Sequence, residues 1–86
     1  MKHRSEIEIT ALILEAVNSN NSNSSRATQT AIMYKAFLSY VQLKKYLLLL
    51  MEKGLLEYQK VQGVYRTTEK GKHFLRLYNS FHLSYL

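Results

Sequence analysis

The segment from Ser39 to Gly54 reads as a helix with both ends marked in the sequence. Ser39 and Gln42 form a capping box, each able to satisfy a backbone N–H that a helix start leaves open. Leu43, Leu47 and Leu50 recur at i, i+4 and i+7, the spacing of one buried helical face. Gly54, just past Lys53, stands where a left-handed residue closes a helix. Beyond it the period changes. Leu55 to Val61 and Val64 to Thr67 are rich in β-branched and aromatic residues, and Gln62-Gly63 lies between them, which predicts a β-hairpin. A capped amphipathic helix running straight into a short hairpin leaves few small-domain architectures open.

The flanking elements narrow the choice. Ser5 and Glu8 form another capping box, and Ile7, Ala11 and Leu14 share a face with Ile13 and Val17 nearby, so a core-facing helix is expected over Glu6 to Val17. The run Asn18 to Ser25, NSNNSNSS, reads as a flexible surface loop. A second helix is expected from Gln29 to Ala36, capped by Thr28, with Ala31, Ile32 and Ala36 as its apolar face. Phe37 and Leu38 end it and enter a tight turn of about three residues. Thr68 caps a last helix reaching about Tyr85, and Gly71 in its first turn costs helix propensity and blurs its start. The order helix, helix, helix, hairpin, helix, with a short turn between the second and third, is that of a winged helix-turn-helix. The expected fold is mainly α with a small β-hairpin (α+β): a three-helix core, a wing and a C-terminal dimerisation helix. It forms one domain over 1–86, with its core at about 5–67 and the last helix at about 68–85.

Composition sets limits. With 86 residues, the chain buries only about 60–65 % of the surface its unfolded form exposes. It has no cysteine, so disulfides and thiolate ligands are excluded and association is the remaining staple for a small core. Twelve Lys and Arg face six Asp and Glu, a net charge of +6 that suggests a polyanionic partner. No signal peptide is visible, and the longest apolar run, Leu47 to Met51, is far too short for a bilayer, so no membrane partner and a cytoplasmic, nucleoid-associated location are expected. Histidines at 3, 73 and 82 are too far apart for a metal pair, aspartate is absent, and the three glycines are explained by a cap, a turn and a helix start. These features argue against an enzyme, a metal, a cofactor or a dedicated small-molecule ligand.

The stretch IMYKAFLSYVQLKKYLLLLMEKGLLEY, followed by YRTTEKGKHFL, resembles the small archaeal winged-helix transcriptional regulators, a group that includes the basic chromatin proteins of the Sso10a type. Residues Ile32–Ala36, Leu38–Tyr40, Gln42–Lys44 and Thr68–Gly71 carry the resemblance, which covers roughly Glu6 to Tyr78. It implies DNA binding in the cytoplasm, a role in transcription or chromatin, and a last helix that pairs with its mate in an antiparallel coiled coil.

On a wheel of 100° per residue, Leu43, Leu47 and Leu50 face inward with Tyr46 beside them, and Val41, Gln42, Lys44, Lys45 and Glu52 face outward. The N-terminal part of a recognition helix reaches base edges, so Gln42, suited to adenine, and Lys45, suited to guanine, are the readout candidates. Ser39 and Tyr40 at the helix entrance fit phosphate or sugar, and Lys44 on the outward face is a further DNA contact. Lys60, Gln62 and Arg66 on the wing fit the backbone or a minor groove, and Arg26 and Lys35 flanking the second helix fit phosphates. Tyr58 and Tyr65 fit either DNA or each other across the hairpin. Leu48 and Leu49 fall on the outer side of the third helix and mark a contact surface for the C-terminal helix or a partner. Phe74, Tyr78, Phe81 and Tyr85, flanked by Leu77, form an aromatic stripe too long for the small core and are expected at a homodimer interface. The leading expectation is a dimeric double-stranded DNA-binding regulator. A low-specificity chromatin protein and a protein-interaction module are the alternatives.

Overall fold

The computed structural model describes residues 5–22 and 26–85, with side chains described at 5–21 and 26–81. The elements are α1 (Glu6–Ser22), α2 (Gln29–Ala36), α3 (Tyr40–Glu52), β1 (Leu56–Gln59), β2 (Val64–Thr67) and α4 (Glu69–Tyr85). The two strands pair antiparallel, with Leu56 opposite Thr67 and Tyr58 opposite Tyr65. The hairpin is shorter than the expected runs, because Leu55 is drawn into the end of α3 and residues 60–63 form the turn. Four helices and a two-stranded wing make the fold mainly α with a small β element.

The helix starts follow their sequence signals. Ser5 and Glu8 exchange the two bonds of a capping box at 3.0 and 3.1 Å. The Thr28 hydroxyl accepts from the Ala31 N–H. Ser39 and Gln42 form the second box at the head of α3. Inward-facing Ile13, Leu14, Val17, Ile32, Leu43, Leu47 and Leu50 are all but fully enclosed and form the centre of the core. Each such side chain contributes about 1.5–3 kcal/mol through burial.

The first helix departs from expectation in two ways. It runs through Asn18 to Ser22, so most of the polar stretch is helix, and residues 23–25 lie outside the described set. Asn20 is only 5 % exposed, and the Asn21 amide donates to the Tyr65 carbonyl at 3.1 Å. The wing docks on this last turn and supplies tertiary support that composition alone does not reveal. The Thr67 hydroxyl likewise donates to the Leu14 carbonyl from the buried side of β2. Conversely, Ile7, assigned to the core face by periodicity, is exposed. Bonds from α1 to its neighbours leave from Leu14, Glu15, Ser19 and Asn21, and Ile7 in the first turn lies ahead of them.

At the other end of the core, α3, the hairpin and α4 meet in one joint. Gly54 adopts φ 77° after α3, while Leu55 N–H closes on the Leu50 carbonyl and Gly54 N–H on Met51. The Thr68 hydroxyl donates to the Gly54 carbonyl at 2.6 Å and accepts from Gly71 N–H at 3.1 Å. Lys70 adds an ammonium to the exposed C-terminus of α3 through the Lys53 carbonyl, at 2.9 Å. Gly71 is required here. A Cβ at this position would stand 2.3 Å from the Leu55 carbonyl oxygen and 2.6 Å from the Thr67 methyl. The glycine that weakens helix propensity is what lets α4 cross the joint.

Candidate nucleic-acid interface

Helix α3 has two unlike faces. Leu43, Tyr46, Leu47 and Leu50 are buried, whereas Tyr40, Val41, Gln42, Lys44, Lys45, Leu48 and Glu52 are exposed. Lys44 leans over the Tyr40 ring at 5.5 Å from its centroid, and Lys45 lies 6.0 Å from that of Tyr46. Both ammonium groups thus stand over rings of their own helix, on its exposed side. Leu49, expected on the outer side with Leu48, is half-buried and packs against the core, because α3 turns it toward the enclosed side. Leu48 remains outside.

Gln42 is already in use. Its Oε1 accepts from the Ser39 N–H at 3.2 Å and the Ser39 hydroxyl at 3.3 Å. A bidentate contact to adenine needs that acceptor together with the amide donor. Reading a base in this way would compete with the capping box that Gln42 and Ser39 form.

The wing is fixed to the body from its inner side. Tyr65 N–H donates to the Ala27 carbonyl at 2.9 Å, which lays the residues before α2 along the free edge of β2. Arg26 reaches over and donates from Nη2 to the Gln62 carbonyl at the wing tip. Tyr58 and Tyr65, opposite in register, pair their rings at 4.8 Å between centroids. Burial pushes the Tyr65 phenol above its ordinary range, the neighbouring Tyr58 adds to the shift, and a bond with Gln29 opposes it. Lys60, Gln62 and Arg66 are exposed along the hairpin.

These features form a helix-turn-helix with its second helix presented outward and a braced hairpin beside it. The winged helix-turn-helix family profile matches residues 3–84. The chain belongs to the winged helix-turn-helix family. No curated protein is significantly similar in sequence. The family's fold is a DNA-binding one, with α3 in the place of the recognition helix. Among the described residues no helix is long and apolar enough to cross a membrane, and no cluster of His, Asp and Glu could hold a metal ion.

Within the winged helix the expected contact residues fall into two groups. Lys44, Lys45, Lys60 and Arg66 project from α3 and the wing, with Tyr40 at the mouth of α3. Arg26 and Lys35, expected at phosphates, also make contacts within the fold. Arg26 braces the wing tip, and the Lys35 ammonium donates to Ser19 at 3.0 Å, linking α2 to α1. Both partners are distant in sequence, so no local signal announced them. The open cleft of about 530 Å³ between Asn18 and Asn21 of α1, Arg66 of β2 and Lys72 of α4 was equally hidden, because it depends on the polar run being helical.

The aromatic stripe of α4 is split. Phe74 and Tyr78, expected between subunits, stack at 6.2 Å and pack half-buried against the domain's own core. Leu77 and Phe81 are exposed. The Tyr85 side chain lies outside the described residues. The sequence reading passed over the prominence of Tyr34 and Phe37, which together with the outward Val41 are strongly exposed around the α2–α3 corner.

Proposed function

We propose that this winged helix is a transcriptional regulator that binds double-stranded DNA as a homodimer, with α3 in the major groove and the wing along the backbone. The observation that carries the reading is the basic outward face of α3, where Lys44 and Lys45 are exposed opposite a sealed leucine face. Lys60 and Arg66 extend the positive surface onto the wing, where they neutralise phosphates. The remainder of the α4 stripe supports association. Leu77 and Phe81 are apolar, exposed and adjacent along the helix, and a small domain gains needed burial by covering them. A two-fold axis through α4 places two recognition helices on palindromic half-sites.

Fluorescence anisotropy against random duplex and the promoter upstream of the gene, across a salt series, tests the reading. A preference for the promoter of about 10³-fold or more marks a sequence-specific regulator. Equal binding with a steep salt slope marks the low-specificity chromatin role, which phosphate neutralisation alone supports. The double variant Lys44→Glu/Lys45→Glu should lose DNA binding by about 100-fold or more at low salt and flatten the salt slope, while its thermal unfolding stays unchanged. Full retention of binding would remove α3 from the DNA interface, whereas no binding by the native protein at low salt would favour a protein-interaction module. Phe81→Asp should convert dimer to monomer in sedimentation; an unchanged dimer refutes the α4 interface.

A further inference from the structure

The outward face of α3 is basic only at its margins. Along its centre line stand Val41 and, seven residues on, Leu48, which are 76 % and 65 % exposed. Seven residues are two turns less about 20°, so the two side chains line up roughly 10 Å apart along the helix. Lys44 and Lys45 fall to either side of that line. Fold stability accounts for neither residue. Both are turned away from the core, and valine, stiff at χ1, is a poorer helix former than the alanine, lysine or glutamate such a position would ordinarily take.

We propose that Val41, continued by Leu48, reads thymine methyl groups in the major groove. The proposal rests on the DNA-binding reading above and specifies what that face recognises. In the major groove the thymine C5-methyl is the apolar group on the base edges, and the phosphate backbones run along both margins. A stripe with an apolar centre and cationic edges complements that pattern. Val41 lies in the first turn of α3, the part of a recognition helix that approaches the bases. The nearest polar alternative, Gln42, has its acceptor held by Ser39. The lysines are long enough to reach phosphate from either side while Val41 meets the groove floor.

The test uses the full chain and two duplexes that differ by one kind of atom group. One has alternating A·T pairs; the other has deoxyuridine in place of every thymine, which keeps the pairing and removes the methyl. Binding is measured by anisotropy at fixed salt for the native protein, Val41→Ala and Lys60→Ala. The native protein should favour the thymine duplex by about fourfold for each methyl covered, the ratio equivalent to about 0.8 kcal/mol per buried methyl. Val41→Ala, at an exposed site that leaves the fold intact, should lower that ratio by removing the larger part of the apolar contact while Leu48 remains. Lys60→Ala should weaken both duplexes alike and leave the ratio unchanged. Equal native affinity for the two duplexes, or a preference undiminished in Val41→Ala, overturns the assignment and leaves DNA binding standing. In that case the stripe serves a protein partner. Absence of binding to either duplex at low salt overturns the DNA-binding reading and this inference together.

Discussion

The helices α2 and α3 end in the same way with opposite residues. After α3, Gly54 takes φ 77°, and Leu55 N–H bonds back to the Leu50 carbonyl at 2.9 Å. After α2, Phe37 takes φ 56°, and Leu38 N–H bonds back to the Met33 carbonyl at 3.2 Å. In both places the next residue, Leu38 or Leu55, is buried, so the reversal tucks a leucine into the core. Left-handed geometry is almost free for glycine and costs a bulky side chain about 1 kcal/mol or more. The α3 joint therefore uses the residue that conformation favours. The α2 corner displays an aromatic side chain, 81 % exposed, that conformation disfavours. One end of the domain is chosen for holding its shape; the other tolerates strain and presents an aromatic surface beside α3.

The sharpest way to break this contrast is at Gly71. Adding a single methyl there drives it into the Leu55 carbonyl at the joint, which is backbone and cannot rotate away. Gly71→Ala should cost about 2–3 kcal/mol, as overpacking does, and lower the melting temperature by roughly 10–20 °C in circular dichroism. A loss under about 1 kcal/mol would mean that α4 slides off the joint easily, and the joint would then be no stiffer than the corner.

A smaller effect separates the two ends by sign. Gly54→Ala should destabilise by about 1 kcal/mol, because the alanine inherits the left-handed backbone. Phe37→Gly should leave stability unchanged or raise it by up to about 1 kcal/mol, whereas replacing a core phenylalanine costs several. Urea unfolding of the pair decides. A large loss at Phe37 would show that its ring supports the corner, and the contrast would vanish.

The same contrast explains what the sequence revealed. Caps, heptad-like leucines and the Gly54 stop are local signals, and α3, the hairpin and the helix order followed from them. The helical end of α1 did not, because Asn18 to Ser22 are held by contacts such as Asn21 to Tyr65, 44 residues away. Propensity is a weak prior that such tertiary support overrides. In the candidate site, the cations were legible, but their duties were not. Lys44 and Lys45 sit on the face the wheel predicts, while Arg26 and Lys35 are occupied by partners 36 and 16 positions distant. Gln42 carried two readings in the sequence, cap and base reader, and the geometry of its Oε1 shows the cap. Phe37 was missed because an exposed apolar residue looks like a buried one until the fold assigns its face.

The smallest expected effect concerns the start of α2, which the wing ties to the body through Tyr65. Burial, then the adjacent Tyr58, raise the Tyr65 phenol above its ordinary value of 10.0, against the pull of Gln29. Between the ordinary and the raised value the unfolded chain gives up this proton and the folded chain keeps it. The unfolded state is thereby favoured, so the contribution is fully present below about pH 10 and is lost as pH rises beyond it. Tyr65→Phe removes the proton altogether. Near pH 8 it should cost no more than about 1 kcal/mol, from the lost bond with Gln29. Above pH 10 the stability of the native protein should fall faster than that of the variant, and the gap in urea midpoints should narrow or reverse. A gap that stays constant would mean that Tyr65 ionises as readily folded as unfolded. The wing would then have to part from Ala27 and Gln29 without unfolding the core.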